Sequence, residues 1–132
     1  MLLLGFGAVI VLFVIAVGVS GLQKHDARSG AQKVSDAFVS DILANKYDAS
    51  YNMFSDSAKQ STSAIDWQNE VNHLSVFFYG KKPTFQSIDT SKSFQSASYS
   101  ITGLDGNYTF SAVMVQNDKS WQVQSFDSQR KS

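Results

Sequence analysis

The sequence predicts an α+β protein in which an apolar N-terminal helix precedes two to three helices packed on an antiparallel sheet of about four strands. Three observations predict this class. Residues 1–19 are uncharged, residues 31–79 repeat apolar side chains at helical spacing, and beyond Pro83 apolar residues recur at every second position. Because the helices all precede the strands, they are expected to cover one face of the sheet.

Residues 1–22 are predicted to form a membrane-inserting helix. Thirteen of the first nineteen residues are Leu, Ile, Val or Phe, and a helix of that length extends roughly 28 Å, close to the thickness of a bilayer core. Gly18 and Gly21 would let neighbouring helices pack closely, although ordinary transmembrane glycine use explains them as well. Residues 23–30 then link this arm to a small α+β domain at residues 31–132.

The start of the arm does not match a cleavable signal peptide. No basic residue precedes the apolar run, and the run exceeds the usual 7–15 residues or so, although "AVGVSG" at 16–21 keeps cleavage as an alternative. Three basic residues follow the arm: Lys24, Arg28 and Lys33. By the positive-inside rule, this charge distribution alone would place the domain in the cytoplasm. A basic segment upstream, or a short basic leader removed before Met1, would instead place it outside. We expect a cell-membrane protein with an extracytoplasmic domain.

Apolar stripes predict the helices. Val34, Phe38 and Ile42, with Ala31 and Leu43 alongside, give a first helix that stops near Asn45. Asp48 is predicted to cap a short second helix that carries Tyr51, Met53 and Phe54, and "SDSAKQSTS" at 55–63 reads as a polar link. Ser63 and Asp66 resemble a capping box before a last helix with a stripe of Trp67, Val71, Leu74 and Phe78, which Gly80 ends.

Two-residue alternation predicts the strands. The first covers residues 84–90, and the second presents Ala97, Tyr99 and Ile101 on one face. A turn at 103–107 leads to a third strand with Tyr108, Phe110, Ala112 and Met114 on one face, and Asn117 begins the next turn. In the last strand Trp121, Val123 and Ser125 are expected to alternate with Gln122, Gln124 and Phe126. Trp67 and Trp121 should both seal the core between helices and sheet.

Composition excludes several classes of function. The 11 basic and 11 acidic residues balance, so the chain has no basic footprint for nucleic acid. Without cysteine there is no disulfide or thiolate chemistry, and with only His25 and His73 as histidines we expect neither a metal site nor a cofactor.

The stretch "AFVSDILANKYDASYNMFSD" at 37–56 resembles the nuclear-transport-factor-2-like superfamily. That resemblance covers about residues 31–127 and implies helices followed by a curled antiparallel sheet. Similar bacterial domains are often tethered by one N-terminal transmembrane helix, and some belong to conjugation machinery. The superfamily also includes ketosteroid isomerase and dehydratases, which implies a conical pocket holding a carboxylate base or a His–Asp pair.

A rival resemblance is to type IV pilins, which also join an apolar N-terminal helix to a four-stranded antiparallel sheet. The missing basic segment fits a processed pilin. Gly5 stands where those subunits usually carry an acid, however, and the helix at 64–79 exceeds what a pilin headgroup requires.

Candidate site residues are few. For isomerase-like chemistry they are Asp36, Asp41, Asp66, His73 and Tyr79, but Asp66 also reads as a helix cap and a lone histidine is usually a surface residue. For binding, a concave face of Tyr79, Tyr99, Tyr108, Phe110 and Trp121 is possible, although core packing explains most of these aromatics.

The predicted function is that of a non-catalytic, single-pass membrane-anchored domain that acts by binding or assembly. Its expected partners are membrane lipid and either another protein or further copies of itself. The alternatives are a pilin-like filament subunit and, less favoured, a ketosteroid-isomerase-like enzyme.

Overall fold

The computed structural model describes residues 29–90, 94–118 and 120–131. Four helices come first: α1 (Gly30–Leu43), α2 (Tyr47–Asn52), α3 (Asp56–Ser61) and α4 (Ala64–Phe77). Four strands follow: β1 (Thr84–Thr90), β2 (Phe94–Gly103), β3 (Gly106–Asn117) and β4 (Ser120–Arg130). The predicted α+β class and the four-stranded antiparallel sheet are confirmed.

The predicted membrane helix at 1–22, with Gly18 and Gly21, lies outside the described residues. So does most of the predicted link at 23–30. Among the residues that the structure does describe, no helix has both the length and the apolar composition needed to cross a bilayer.

The sheet is a simple meander in the order β1-β2-β3-β4. β2 and β3 pair without interruption from Phe94 opposite Val115 to Gly103 opposite Gly106. Gly106 has a φ of 146°, a conformation that glycine adopts without steric cost, and it closes the predicted turn at 103–107. Asp118 has a φ of 58° in the turn between β3 and β4, where Asn and Asp tolerate the left-handed region.

Aromatic rings fill the space between the helices and the sheet. Phe38 of α1 stacks on Trp67 of α4 at 5.6 Å between ring centroids, and Phe54 approaches Trp67 to 4.9 Å. On the sheet side, Phe110 contacts Phe78 at 5.0 Å. The predicted stripe of α4 is confirmed, since Trp67, Val71, Leu74 and Phe78 are all buried.

Helix ends agree with the sequence in part. The Ser63 hydroxyl accepts a hydrogen bond from the Asp66 amide at 3.2 Å, which confirms the predicted cap of α4. Asn45 has a φ of 59° just beyond α1, a conformation that ends a helix. The prediction that Asp48 caps the second helix is wrong: α2 begins at Tyr47, and Asp48 lies in its first turn, where a negative charge favours the positive end of the helix dipole.

The polar stretch predicted as a link contains a short helix, α3. The Ser55 hydroxyl caps it by accepting from the Ala58 amide at 3.2 Å. Ala58 is the one residue of α3 that is buried, so the segment carries no apolar stripe that could have predicted it.

A bulge in β4 breaks the predicted alternation. Ser125 pairs with Val113 and Val123 pairs with Met114, which leaves Gln124 as an extra residue. Val123 and Phe126 therefore both face the helices, and the predicted placement of Phe126 opposite Val123 is wrong.

The two edges of the sheet differ. Residues 53–55 run beside β4, where the Ser55 amide donates to the Val123 carbonyl at 2.9 Å and the Val123 amide donates to the Met53 carbonyl at 2.7 Å. At the other edge, the described part of the chain pairs β1 with β2 alone.

Candidate functional site

An open groove of about 570 Å³ lies between α1 and the edge of the sheet. We call it the α1–β1 groove. Asp36, Val39, Ser40, Leu43 and Ala44 of α1 form one wall, Phe85 and Tyr99 form the floor, and Lys81, Lys82 and Pro83 close one end.

The groove exists because α1 leaves β1 uncovered. The first residue of α1, Gly30, lies against Trp121 of β4; a Cβ added there would meet the indole at 3.0 Å. From this start the helix makes more contacts with β4 than with β2 or β3. The helix-facing side of β1 is therefore left open along the C-terminal half of α1.

A second bulge directs β1 side chains into this space. Phe85 pairs with Tyr99 and Ser87 pairs with Ser98, so Gln86 is the extra residue. Ile88, three residues after Phe85, pairs with buried Ala97 and so faces the helices as Phe85 does. Without the bulge, residues three apart would point to opposite faces.

A polar cluster forms part of the floor and wall. The Tyr99 hydroxyl donates a hydrogen bond to the carboxylate of Asp36, and the Ser35 hydroxyl lies 2.6 Å from the Tyr99 hydroxyl oxygen. Since Tyr99 uses its one proton toward Asp36, Ser35 is the donor in this second contact. The cluster holds the buried ring of Tyr99 in place and presents a carboxylate at the side of the groove.

A second recess adjoins the first at Leu43 and Ala44. It has a volume of about 660 Å³ and continues along Asn72, Ser75, Val76 and Tyr79 at the end of α4. Tyr79 is 84% exposed and Val76 is 64% exposed. Single exposed apolar residues are ordinary, but these two border a recess that shares Leu43 and Ala44 with the α1–β1 groove.

The structure brings together two of the predicted binding residues, Tyr79 and Tyr99, in these adjoining recesses. Tyr108 pairs with Ile101 beside the turn between β2 and β3, where its ring contacts Phe78 at 5.2 Å and its hydroxyl donates to Asp105 at 2.8 Å. That hydrogen bond raises the pKa of Tyr108. Phe110 is fully buried in the core.

Trp121 lies near the start of β4 and is half-buried against the core and Gly30. It is therefore at the opposite end of the sheet from Tyr108. The structure does not gather the five predicted aromatics on one concave face.

The predicted acid–base candidates are separated. Asp66 is in the first turn of α4, and His73 lies two turns later, about 10 Å along the helix axis, where its exposed ring stacks on Phe77 at 6.2 Å. Burial raises the pKa of Asp41 on α1 to about 6, and the positive charge of Lys46 partly opposes this. Within the described ranges no three His, Asp or Glu side chains form a group able to hold a metal ion.

The sequence alone does not predict the pairing of Asp36 with Tyr99. They are 63 positions apart and meet because α1 crosses the middle of β2. Lys81 and Lys82 lie between α4 and β1, and their place at the groove depends on the position of β1.

Comparison with known proteins gives no assignment for this chain. No protein-family model matches it, and no curated protein matches its sequence.

Proposed function

We propose that this chain is a single-pass membrane-anchored protein whose extracytoplasmic α+β domain binds a partner protein through the α1–β1 groove and the adjoining recess. The observation that carries the proposal is the exposure of Tyr79 and Val76 beside these recesses. Tyrosine is enriched at protein interfaces because it combines a large apolar ring with a hydrogen-bonding hydroxyl.

The packing of the interior supports binding over catalysis. Enzymes that raise the pKa of a carboxylate do so in an enclosed apolar cavity beside a proton donor. Here the rings of Phe38, Trp67 and Phe110 occupy the space between α1 and the sheet, while the recesses lie open at the surface.

The geometry of the domain also supports a tether. Six residues, 23–28, separate the apolar run from the described domain, and six extended residues reach roughly 20 Å at most. The start of α1 would then lie near the bilayer. Since α1 has 14 residues, its C-terminal end, which borders the groove, is about 20 Å from its start.

A filament subunit is the second candidate. The observation that favours it is a four-stranded antiparallel sheet that follows the helices, preceded in sequence by an apolar arm with Gly18 and Gly21 near its end. In such a subunit the arm would pack against the arms of neighbouring copies.

Site-specific photocrosslinking in the native cell tests the binding proposal. A photoreactive amino acid at Tyr79 should give a discrete protein adduct, because this position borders the recess. The matched control is Ile65, which is 61% exposed in the first turn of α4, the helix that Tyr79 follows. Equal adducts at both positions, or no adduct at Tyr79, would contradict the proposal.

Carbonate washing of membranes tests the anchor. The full chain should remain in the membrane fraction, because the uncharged run at 1–19 inserts without ionic contacts. A mature N-terminus at Gly21 or beyond would contradict a retained anchor and favour a secreted domain.

A further inference from the structure

The outer edge of β1 is a free strand edge within the described part of the chain. Its seven residues pair only with β2, and most of them are exposed. Natural proteins often protect such edges with lysine, proline or a bulge. β1 has a bulge at Gln86, but residues 84–90 contain neither lysine nor proline, and Asp89 is the only charged residue among them.

The helix-facing side of this edge already has an apolar lining. Phe85 forms part of the groove floor, and Ile88 faces the same side because of the bulge at Gln86. A strand added beside β1 would lie about 4.8 Å away and would direct every second side chain toward the groove. Backbone hydrogen bonds to β1 would supply affinity, and the groove would select apolar side chains at alternate positions.

The charges at the groove specify one end of such a strand. Lys81 and Lys82 are exposed directly before β1, and neither forms an ion pair with another described residue. The carboxylate of Asp36 is on the α1 wall beside Tyr99, whose partner Phe85 is near the same end of β1. The two exposed lysines would attract acidic residues at the end of an added strand that reaches them.

Strand direction then follows from the pairing rules. Antiparallel pairs are slightly more stable than parallel ones, and the lysines precede the N-terminal end of β1. An antiparallel partner would therefore bring its C-terminal end to Lys81 and Lys82.

We propose that β1 and the α1–β1 groove bind an extended segment of a partner protein, in which alternating apolar residues are followed by acidic residues, as a fifth antiparallel strand. This proposal rests on the proposed binding function and names the chemistry of its partner.

A synthetic peptide tests it with the full chain in detergent micelles. The probe is fluorescein-labelled Thr-Val-Thr-Leu-Thr-Glu-Glu, followed by fluorescence anisotropy. It should bind at least tenfold more tightly than the matched peptide ending in Lys-Lys. A version with N-methyl groups on alternate backbone amides, which cannot form the ladder, should lose binding. Hydrogen exchange of the amides at 84–90 should slow when the acidic peptide is added.

Charge reversal provides the matched variants. The double change Lys81→Glu and Lys82→Glu should invert the preference toward the Lys-Lys peptide. Lys131→Glu, an exposed lysine beyond β4 on the opposite side of the sheet, should leave the preference unchanged.

The proposal is overturned if the acidic peptide fails to bind at millimolar concentration, if the N-methylated peptide binds equally well, or if amide exchange at 84–90 does not change. A Tyr79 crosslink that persists alongside such a result would keep the binding function and reject only this mode of binding. If the peptide does not bind and the Tyr79 crosslink is also absent, the binding function is rejected as well.

Discussion

Trp67 ties the second and fourth helices to the core through one side chain. Its indole N–H donates to the Ser50 hydroxyl at 2.8 Å, and that hydroxyl donates in turn to the Tyr47 carbonyl at 3.0 Å. The indole donor is thus satisfied while the ring is 5% exposed. A tryptophan buried in this way contributes both apolar area and a fixed hydrogen bond.

Replacement of Trp67 by alanine should lower the free energy of unfolding by about 3–5 kcal/mol. The loss arises from a cavity beside Phe38 and Phe54, and it is a large part of the ~5–15 kcal/mol that stabilises a typical domain. Urea unfolding of the full chain in detergent measures it. Trp67→Phe, which keeps a ring but leaves Ser50 without its donor, should cost less. An unchanged midpoint for Trp67→Ala would contradict the packing of α4.

Asp41 should make stability depend on pH in the direction opposite to most carboxylates. Its folded pKa is about 6 against an ordinary 3.8, so the folded state holds the proton more tightly than the unfolded state. The contribution of protonated Asp41 to the free energy of unfolding is complete below about pH 4 and is lost as the pH rises through about 6. Asp41→Asn should therefore stabilise the protein at pH 7 by about 1 kcal/mol after allowance for solvent screening, with little effect at pH 4.

Thermal unfolding at the two pH values measures this difference. Asp89→Asn, which removes one negative charge from an exposed position in β1, is the matched control. A gain from Asp41→Asn that is equal at pH 4 and pH 7 would contradict burial as its cause.

At the scale of elements, the bulge in β4 decides which residues reach the core. The Gln124 side chain accepts from the Ser55 hydroxyl at 2.8 Å and donates to Ser57 at 2.9 Å. These contacts join the bulge to the start of α3. Beyond the bulge, the ring of Phe126 contacts Phe38 at 5.6 Å and Phe110 at 5.3 Å.

Deletion of Gln124 should cost no more than its truncation. Without the extra residue, Val123 and Phe126 are two positions apart in a regular ladder, so both still face the helices. Gln124→Ala keeps the bulge, and either change removes the hydrogen bonds to Ser55 and Ser57, which should cost about 1 kcal/mol. If deletion instead costs about 3 kcal/mol by urea unfolding, as loss of a buried phenylalanine would, the bulge is needed to keep Phe126 in the core.

The sequence predicts elements whose local pattern matches their burial. The stripe of α4 and the alternation through Tyr99, Phe110 and Met114 place the correct residues inside, because each face is buried along its whole length. The helix α3 escapes prediction because a hydroxyl cap and contacts with β4 hold it. The bulge at Gln124 also escapes prediction, because "WQVQSF" fits a regular strand as well as a bulged one. Pairing with β3 decides between the two.

The candidate site was less predictable than the fold for a related reason. A groove depends on the angle at which α1 crosses the sheet, and no local pattern encodes that angle. The sequence predicts Tyr79 and Tyr99 as aromatic candidates, but their relation to Lys81 and Asp36 arises only in the folded domain.

At the scale of the whole molecule, a tether and a filament subunit make different demands on the apolar arm. A tether needs only hydrophobicity, so its glycines can be replaced by larger apolar residues. A helix that packs against copies of itself needs close backbone contact, which glycine allows and leucine prevents. Substitutions at Gly18 and Gly21 therefore distinguish a tether from a filament subunit.

Gly18→Leu and Gly21→Leu in the native cell should leave membrane levels and cell-surface material unchanged, because leucine is as compatible with the bilayer as glycine or more so. Membrane fractionation measures the first, and shearing followed by electron microscopy measures the second. The control is Gly7→Leu, at a position in the first third of the same apolar run. If the wild-type protein occurs in sheared filaments and the changes at 18 or 21 abolish them at normal membrane levels, the arm is an assembly helix. The filament function would then replace the tether.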